Sequence, residues 1–336
     1  MERSRYYPKQ FTSVFVVSVV FLVLSVIASL IFGARSLTWQ EVLDGFLQHS
    51  ESFASSVFQK RLIRTIFGLC CGSALGVAGV LMQSVTRNPI ADPSILGVNT
   101  GAALFVVCGM AFFQISDANH YIWFALSGAL LTAIFVFGIG SIGRGGATPL
   151  KLVLAGAATS AALSSLVTAV MIPRSYVMNQ FRFWQVGSVG AGTWDSILLL
   201  LPFLLTGILA SIFCAPALNA LALGDEAAQG LGVKTNVFRL AAAFAGVILC
   251  GATTAVAGPI GFIGLLATHM IRLLLGPDLR FLIPMSALSG AVILLVSDVI
   301  GRLVGSPGEL EVGVVTALIG APLLIILARK AKVRSL

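Results

Sequence analysis

An uncharged apolar run about 20 residues long has few fates, because a helix of that length matches the hydrocarbon core of a bilayer. Residues 11–33, FTSVFVVSVVFLVLSVIASLIFG, form such a run. It is longer than a signal-peptide core and no small-x-small cleavage site clearly follows, so it reads as a retained span. Further runs lie near 62–83, 95–115, 121–143, 150–172, 195–216, 236–257, 259–276, 281–303 and 313–329. The expected fold class is an all-α membrane protein, a polytopic bundle of about ten transmembrane helices. The run at 259–276 is set off from its predecessor by little more than Gly258-Pro259. Only 10% of the residues are charged, against about 25% in soluble domains. Length and apolarity together give one polytopic membrane domain over residues 1–336.

In a soluble protein a formal charge of +8 would suggest nucleic acid. Here the excess has another source, since cytoplasmic loops collect Lys and Arg. Ten spans with the N-terminus inside place 14 of the 21 basic residues inside, among them Arg87, Arg144, Arg239 and Arg334, and 7 outside. Both termini are then cytoplasmic. The outer minority is clustered, with Lys60, Arg61 and Arg64 at the start of one span. All five cysteines fall inside apolar runs without a Cys-x-x-Cys pair, and the three histidines are too scattered for a metal site. Gly68, Gly72 and Gly76 recur every four residues, and Gly258, Gly261 and Gly264 every three. Small residues at such spacing let helix backbones approach in lipid.

The chain shows no G-x-x-x-x-G-K-[ST] phosphate loop; the nearest stretch, GLGVKT, lacks the glycine before Lys234. Nothing argues for bond-making chemistry, so the chain reads as a transport subunit and not an enzyme. None of the 13 acidic residues falls clearly at the middle of a span, and Asp195 and Asp298 lie near span ends. Ion-coupled carriers commonly place carboxylates at membrane depth. A transporter with neither feature borrows its energy from another subunit.

Seven motifs stand in order: RLIRTIFGLCCGSALGVAGVLMQSVTRNPIADPSILGVNTGA (61–102), LVLAGAA (152–158), FWQVGSVGAGTW (183–194), LNALALGDEAAQGLGV (218–233), GPIGFIGLLATHMIRLLLGPD (258–278), SDVIGR (297–302) and VGVVTALIGAP (312–322). Together they resemble the permease subunits of type II ABC importers, the iron-siderophore, haem and cobalamin uptake family. The resemblance implies ten spans per subunit with both termini inside. It also implies a bacterial inner-membrane location and a second permease chain, identical or sister. Two ATP-binding subunits carrying ATP and Mg would complete the complex, with an extracytoplasmic binding protein docked above. No cofactor, metal or nucleic acid is expected on this chain; its other partner is membrane lipid.

Residue by residue, the resemblance makes Asn88 and Ile90 one cytoplasmic gate, and Thr148 and Pro149 the other. The prolines of RNPIADP limit backbone donors and fix the chain's direction, so a short corner can hold its shape. In the loop at about 218–234, acidic residues open a short helix that alanines continue and glycines stop. The resemblance makes this the coupling element, touching the ATP-binding subunit through Gly224, Asp225, Glu226, Ala227, Leu231 and Gly232. The outer segments are about 34–61 and 173–194. Arg61, Arg64 and Arg302 match binding-protein docking positions, where guanidinium forks would meet carboxylates; snorkelling interfacial arginines are the alternative. Phe181, Phe183 and Trp184 are candidate cargo-path residues or members of an interfacial aromatic belt. His269 and Arg272 share a helical face, and the family's histidine there is structural or a subunit contact; haem ligation is the rival reading. The family usually has proline where this chain has Ile63, Thr268 and Glu311, which bears on the shape of the outer mouth. The expected cargo is a ferric siderophore, with cobalamin or haem as the alternative and a stand-alone ion-coupled carrier as the rival of another class.

Overall fold

The computed structural model describes residues 3–33, 35–47, 53–115, 118–143 and 148–333. Arg144 and Arg334, counted inside above, lie outside the described residues. Helices account for every regular element among the described residues. They are α1 (Arg3–Ile31), α2 (Trp39–Leu47), α3 (Phe53–Thr86), α4 (Val98–Phe112), α5 (Ala118–Gly140), α6 (Pro149–Met171) and α7 (Ser175–Val186). After these come α8 (Trp194–Leu221), α9 (Asp225–Gly230), α10 (Thr235–Ala257), α11 (Ile263–Leu275), α12 (Leu279–Val304) and α13 (Val312–Val333), and a 3-10 turn, Pro93–Leu96, precedes α4.

Each of the ten apolar runs falls on one helix. Seven of these helices (α1, α3, α5, α6, α8, α10 and α12) are long and apolar enough to cross a membrane. The apolar parts of the other three, Val98–Phe112, Ile263–Leu275 and Val312–Ile326, are shorter. The run expected at 259–276 is cut back most. Gly258 at φ 73 ends α10, and Phe262 at φ 68 delays the next helix to Ile263. The 13 residues of α11 reach about 20 Å, well under the ~30 Å hydrocarbon core. Two of the short elements between spans, α2 and α7, lie in the segments read as extracytoplasmic. Thr38 and Glu41 cap α2 reciprocally: Thr38 N–H donates to Glu41 Oε2 at 2.8 Å and Glu41 N–H to Thr38 Oγ1 at 3.3 Å. The bond from Thr38 N–H, and a second from Thr38 Oγ1 to Glu41 Oε2 at 3.1 Å, hold the Glu41 carboxyl below its ordinary range, with Arg35 adding to the effect.

The centre of the bundle is α3, packed against α12, α10, α11 and α8. Its glycines explain how it fits. A Cβ at Gly72 would fall 2.6 Å from the Gly290 carbonyl oxygen, and one at Gly79 2.5 Å from the Gly264 carbonyl carbon. Gly76 meets the Ser286 carbonyl in the same way. Here helix backbones touch directly, as the four-residue glycine spacing implies. The second glycine series behaves differently. Gly264 packs on Gly79, but Gly258 is a turn residue and Gly261 has open space where a side chain would be. At the periphery only 11% of the α1 span is buried, and its exposed residues (Phe15, Val16, Val20, Phe21, Leu24) are apolar on several sides, as a lipid-facing helix requires. Ile63 lies inside an unbroken α3, so the absence of a proline there leaves the helix continuous.

Candidate functional site

The corner after α3 is built by side chains and by one strained residue. Asn88 N–H donates to Gln83 O at 3.2 Å, the six-to-one bond of a Schellman cap, which places Arg87 at the left-handed position with φ 50. Glycine usually fills that position, and a side chain there costs about 1–2 kcal/mol. Asn88 Oδ1 then accepts from Ile90 N–H at 3.1 Å, closing an Asx turn, and Ala91 N–H donates to Asn88 O at 3.1 Å. Two residues later Asp92 caps the 3-10 turn through Ser94 N–H at 3.0 Å, with Pro93 at its first position and Gly97 at φ 73 closing it. Asn88 and Ile90 are both half-buried. Thr148 caps α6, its Oγ1 accepting from Lys151 N–H at 3.4 Å, and Pro149 takes the first helical position, where no N–H is needed.

The α9 element hangs between α8 and α10. Gly224 at φ 111 and Gly232 at φ 80 bracket it, and a Cβ at Gly224, Gly230 or Gly232 would meet nothing within 4 Å. Ala228 turns inward and is fully buried, while Glu226 and Ala227 face out. Leu231 is 66% exposed, and Leu223, which the sequence does not single out, is 70% exposed. Two exposed leucines thus flank this glycine-bracketed helix. Asp225 Oδ1 accepts from Arg239 Nη2 at 2.6 Å and also from Arg87 in the corner after α3. Neither arginine is distinguishable from other inside cations by sequence, because the partners lie 14 and 138 residues apart.

The outer arginines turn inward. Arg61 Nη1 donates to Leu30 O at 3.1 Å and Ile31 O at 2.7 Å, and its Nη2 to Arg35 O. Gly33 leaves the space, since a Cβ there would collide with the guanidinium. Arg302 Nη1 donates to Ser29 O at 3.0 Å and Phe32 O at 2.9 Å, and its Nη2 to Ser29 Oγ at 3.0 Å. Two cations thus satisfy the carbonyls that end α1, where a helix carries its negative pole. Beneath them Asp298 joins the group. Arg64 Nη2 reaches Asp298 Oδ1 at 2.7 Å, its Nε contacts both oxygens at 3.1 Å, and Arg302 Nη2 lies 3.1 Å from Oδ2. Arg64 Nη1 also donates to Glu309 Oε2 at 2.7 Å. Arg302 and Asp298 are each 2% exposed, so the forks expected to face a docking partner are spent inside this chain, and Arg64 is the one nearest the rim.

The three aromatics of α7 separate. Phe181 is 1% exposed and stacks with Trp184 at 5.6 Å between centroids, whereas Phe183 is 80% exposed. Phe181 and Gln185 face a cavity of about 390 Å³ with Asn99, Ser164 and Thr168. The cavity lies against α6, of whose span only 17% is buried and whose open face carries Ser164, Ser165 and Thr168 among small residues. The same helix also exposes Leu150, Leu154 and Leu166. The carboxyl end of α7 is tied to its neighbours, with Ser188 N–H on Ala257 O at 2.7 Å and Gly313 N–H on Gly187 O at 3.1 Å. His269 and Arg272 both lie on α11. Among the described residues no three His, Cys, Asp or Glu side chains group as a metal site.

The whole bundle superposes on a solved structure described as a metal-chelate type ABC transporter in an inward-facing conformation. The TM-score is 0.82 with 29% identity, over 96% of this chain and 99% of that one. This fold is that of a multi-pass membrane permease of type II ABC importers. The chain belongs to the FecCD transport family, which matches residues 21–330. It is 42% identical over 311 residues, 92% of each chain, to the ferric enterobactin transport system permease protein FepD of Escherichia coli (strain K12). It is 36% identical over 267 residues to the hemin transport system permease protein HmuU of Yersinia pestis, 78% of this chain and 79% of that one.

Proposed function

We propose that this chain is the permease subunit of an ATP-driven importer that takes up ferric siderophores. It sits in the bacterial inner membrane with both termini cytoplasmic and pairs with a second permease chain, identical or sister. ATP, with Mg, is hydrolysed on two separate subunits beneath it, which α9 meets through Leu231, Gly232 and the exposed first turn, Gly224 to Ala227. An extracytoplasmic binding protein delivers cargo to the outer rim. Arg61 and Arg302 serve that rim by holding the end of α1 in place, and Arg64 is the fork nearest the partner. The route then passes the α6 and α7 face, including Phe181, Phe183 and Trp184, to gates at Asn88 and Ile90 and at Thr148 and Pro149.

The observation that carries this reading is the 42% identity over 92% of both chains with a ferric enterobactin permease. The bare leucines of α9 and the hydroxyl-bearing open face of α6 fit the same scheme. The test is uptake of iron-55 enterobactin into proteoliposomes holding this chain, its ATP-binding subunits and the binding protein. Uptake should require ATP and all the partner chains, and haemin should not compete. Uphill uptake by this chain alone on a proton or sodium gradient would overturn the proposal.

A further inference from the structure

Asp225 has more partners than its place in α9 requires. One carboxylate oxygen takes two guanidinium groups, from Arg239 on α10 and from Arg87 at the start of the gate corner. The two arginines differ in setting. Arg239 is nearly buried, so its end of the bridge is fixed, while the Arg87 side chain is one-third exposed. Arg87 occupies a left-handed position that glycine would fill without strain. A bulky residue kept in such a conformation implies work for its side chain, and the ion pair is the contact that side chain makes. The next residue along is Asn88, whose own side chain holds Ile90 N–H. Displacement of Asp225 therefore acts one peptide from the group that shapes the corner. Should α9 shift, Arg87 must follow it or release it, which gives two discrete arrangements.

We propose that Asp225, bridged to Arg87 and Arg239, is the positioning residue through which movement of α9 reaches the gate corner. This rests on the assignment of α9 to the ATP-binding subunit. Arg239 keeps Asp225 in register with α10, and Arg87 carries the displacement to Asn88 and Ile90. The bridge places no group on the cargo, so its contribution is to coupling and not to recognition.

The test uses the complex of this chain with its ATP-binding subunits, carrying I90C as a reporter. Labelling by a membrane-impermeant maleimide is timed without nucleotide and after trapping with ADP and vanadate. The chain lacking I90C supplies the background from the five native cysteines. With Arg87 intact, nucleotide should change the labelling rate. In R87Q that change should shrink at least about fivefold, the lower range of coupling between distinct sites, and R87K should restore part of it. ATP-binding subunits should co-purify with all three. A full nucleotide response in R87Q would overturn the proposal. So would loss of the ATP-binding subunits in R87Q alone, which would make the bridge a brace for α9. A different failure, in which the complex with Arg87 intact never holds those subunits, would instead remove the assignment of α9.

Discussion

Replacing Asp298 by Asn removes the one carboxylate shared by two arginines below the end of α1. The pair Arg302–Asp298 is 2% exposed on both sides, whereas Arg64–Glu309 has a carboxylate that is 44% exposed. Removing one member of a buried pair typically costs about 3–5 kcal/mol, because the survivor's charge stays buried and uncompensated. An exposed pair is worth roughly 0–1 kcal/mol. Arg302 would keep its bonds to Ser29 O and Phe32 O, so D298N belongs near 3 kcal/mol, the lower end of that range. E309Q should cost less than about 1 kcal/mol. Cys71, Cys214 and Cys250 are buried, so a thiol-reactive dye reports unfolding in detergent as the temperature rises. D298N should lower the midpoint by roughly 4 °C and E309Q by no more than a degree or two. The double variant D298N/R302M should recover little of the loss, because it also strips the donors from Ser29 O and Phe32 O and leaves Arg64 facing the site. Equal midpoints for D298N and E309Q would refute the reasoning, since they would show that burial does not set the cost.

Gly76→Val should prevent stable folding or cost well over the ~1–3 kcal/mol of ordinary overpacking, because the obstacle is the Ser286 backbone; normal yield and melting would contradict the close contact. Leu231→Asp should abolish co-purification of the ATP-binding subunits while leaving the stability within about 0.5 kcal/mol of the parent, as expected for a 66% exposed residue. The Glu41 carboxylate is held below its ordinary range. Its contribution to α2 is therefore complete above that range and lost as pH falls through the lowered value. Amide protection at Thr38 and Glu41 should thus persist down to the ordinary glutamate range, about pH 4.3, and fall only below it, and constant protection on further acidification would exclude the capping role.

The ten apolar runs were legible because a bilayer imposes length and polarity on each span independently of its neighbours. That logic fails at α11, where two residues with positive φ, Gly258 and Phe262, interrupt a run that is apolar throughout. The short helix at Asp225–Gly230 is readable from its own acids, alanines and glycines. Its anchoring is not, since Arg87 comes from another part of the chain. The same holds for Arg61 and Arg302. Their charge and outer position suggest a partner protein, yet the groups they bind are carbonyls of α1, 30 and 273 residues distant, and sequence spacing carries no trace of such pairings. Asp298 reads as a residue near a span end and is in fact at the centre of a buried charge cluster.

The glycine contacts of α3 have a mechanical consequence. Where Gly72, Gly76 and Gly79 bring it against Gly290, Ser286 and Gly264, sliding by even one residue would drive a carbonyl into the facing main chain. Interlocked in this way, α3, α11 and α12 form a keel that resists shear. Spin labels placed on α3 and α12 should keep their separation through the nucleotide cycle, and a change of several ångströms would contradict this. A route that opens and shuts in such a molecule has to be made by the remaining helices swinging against that keel.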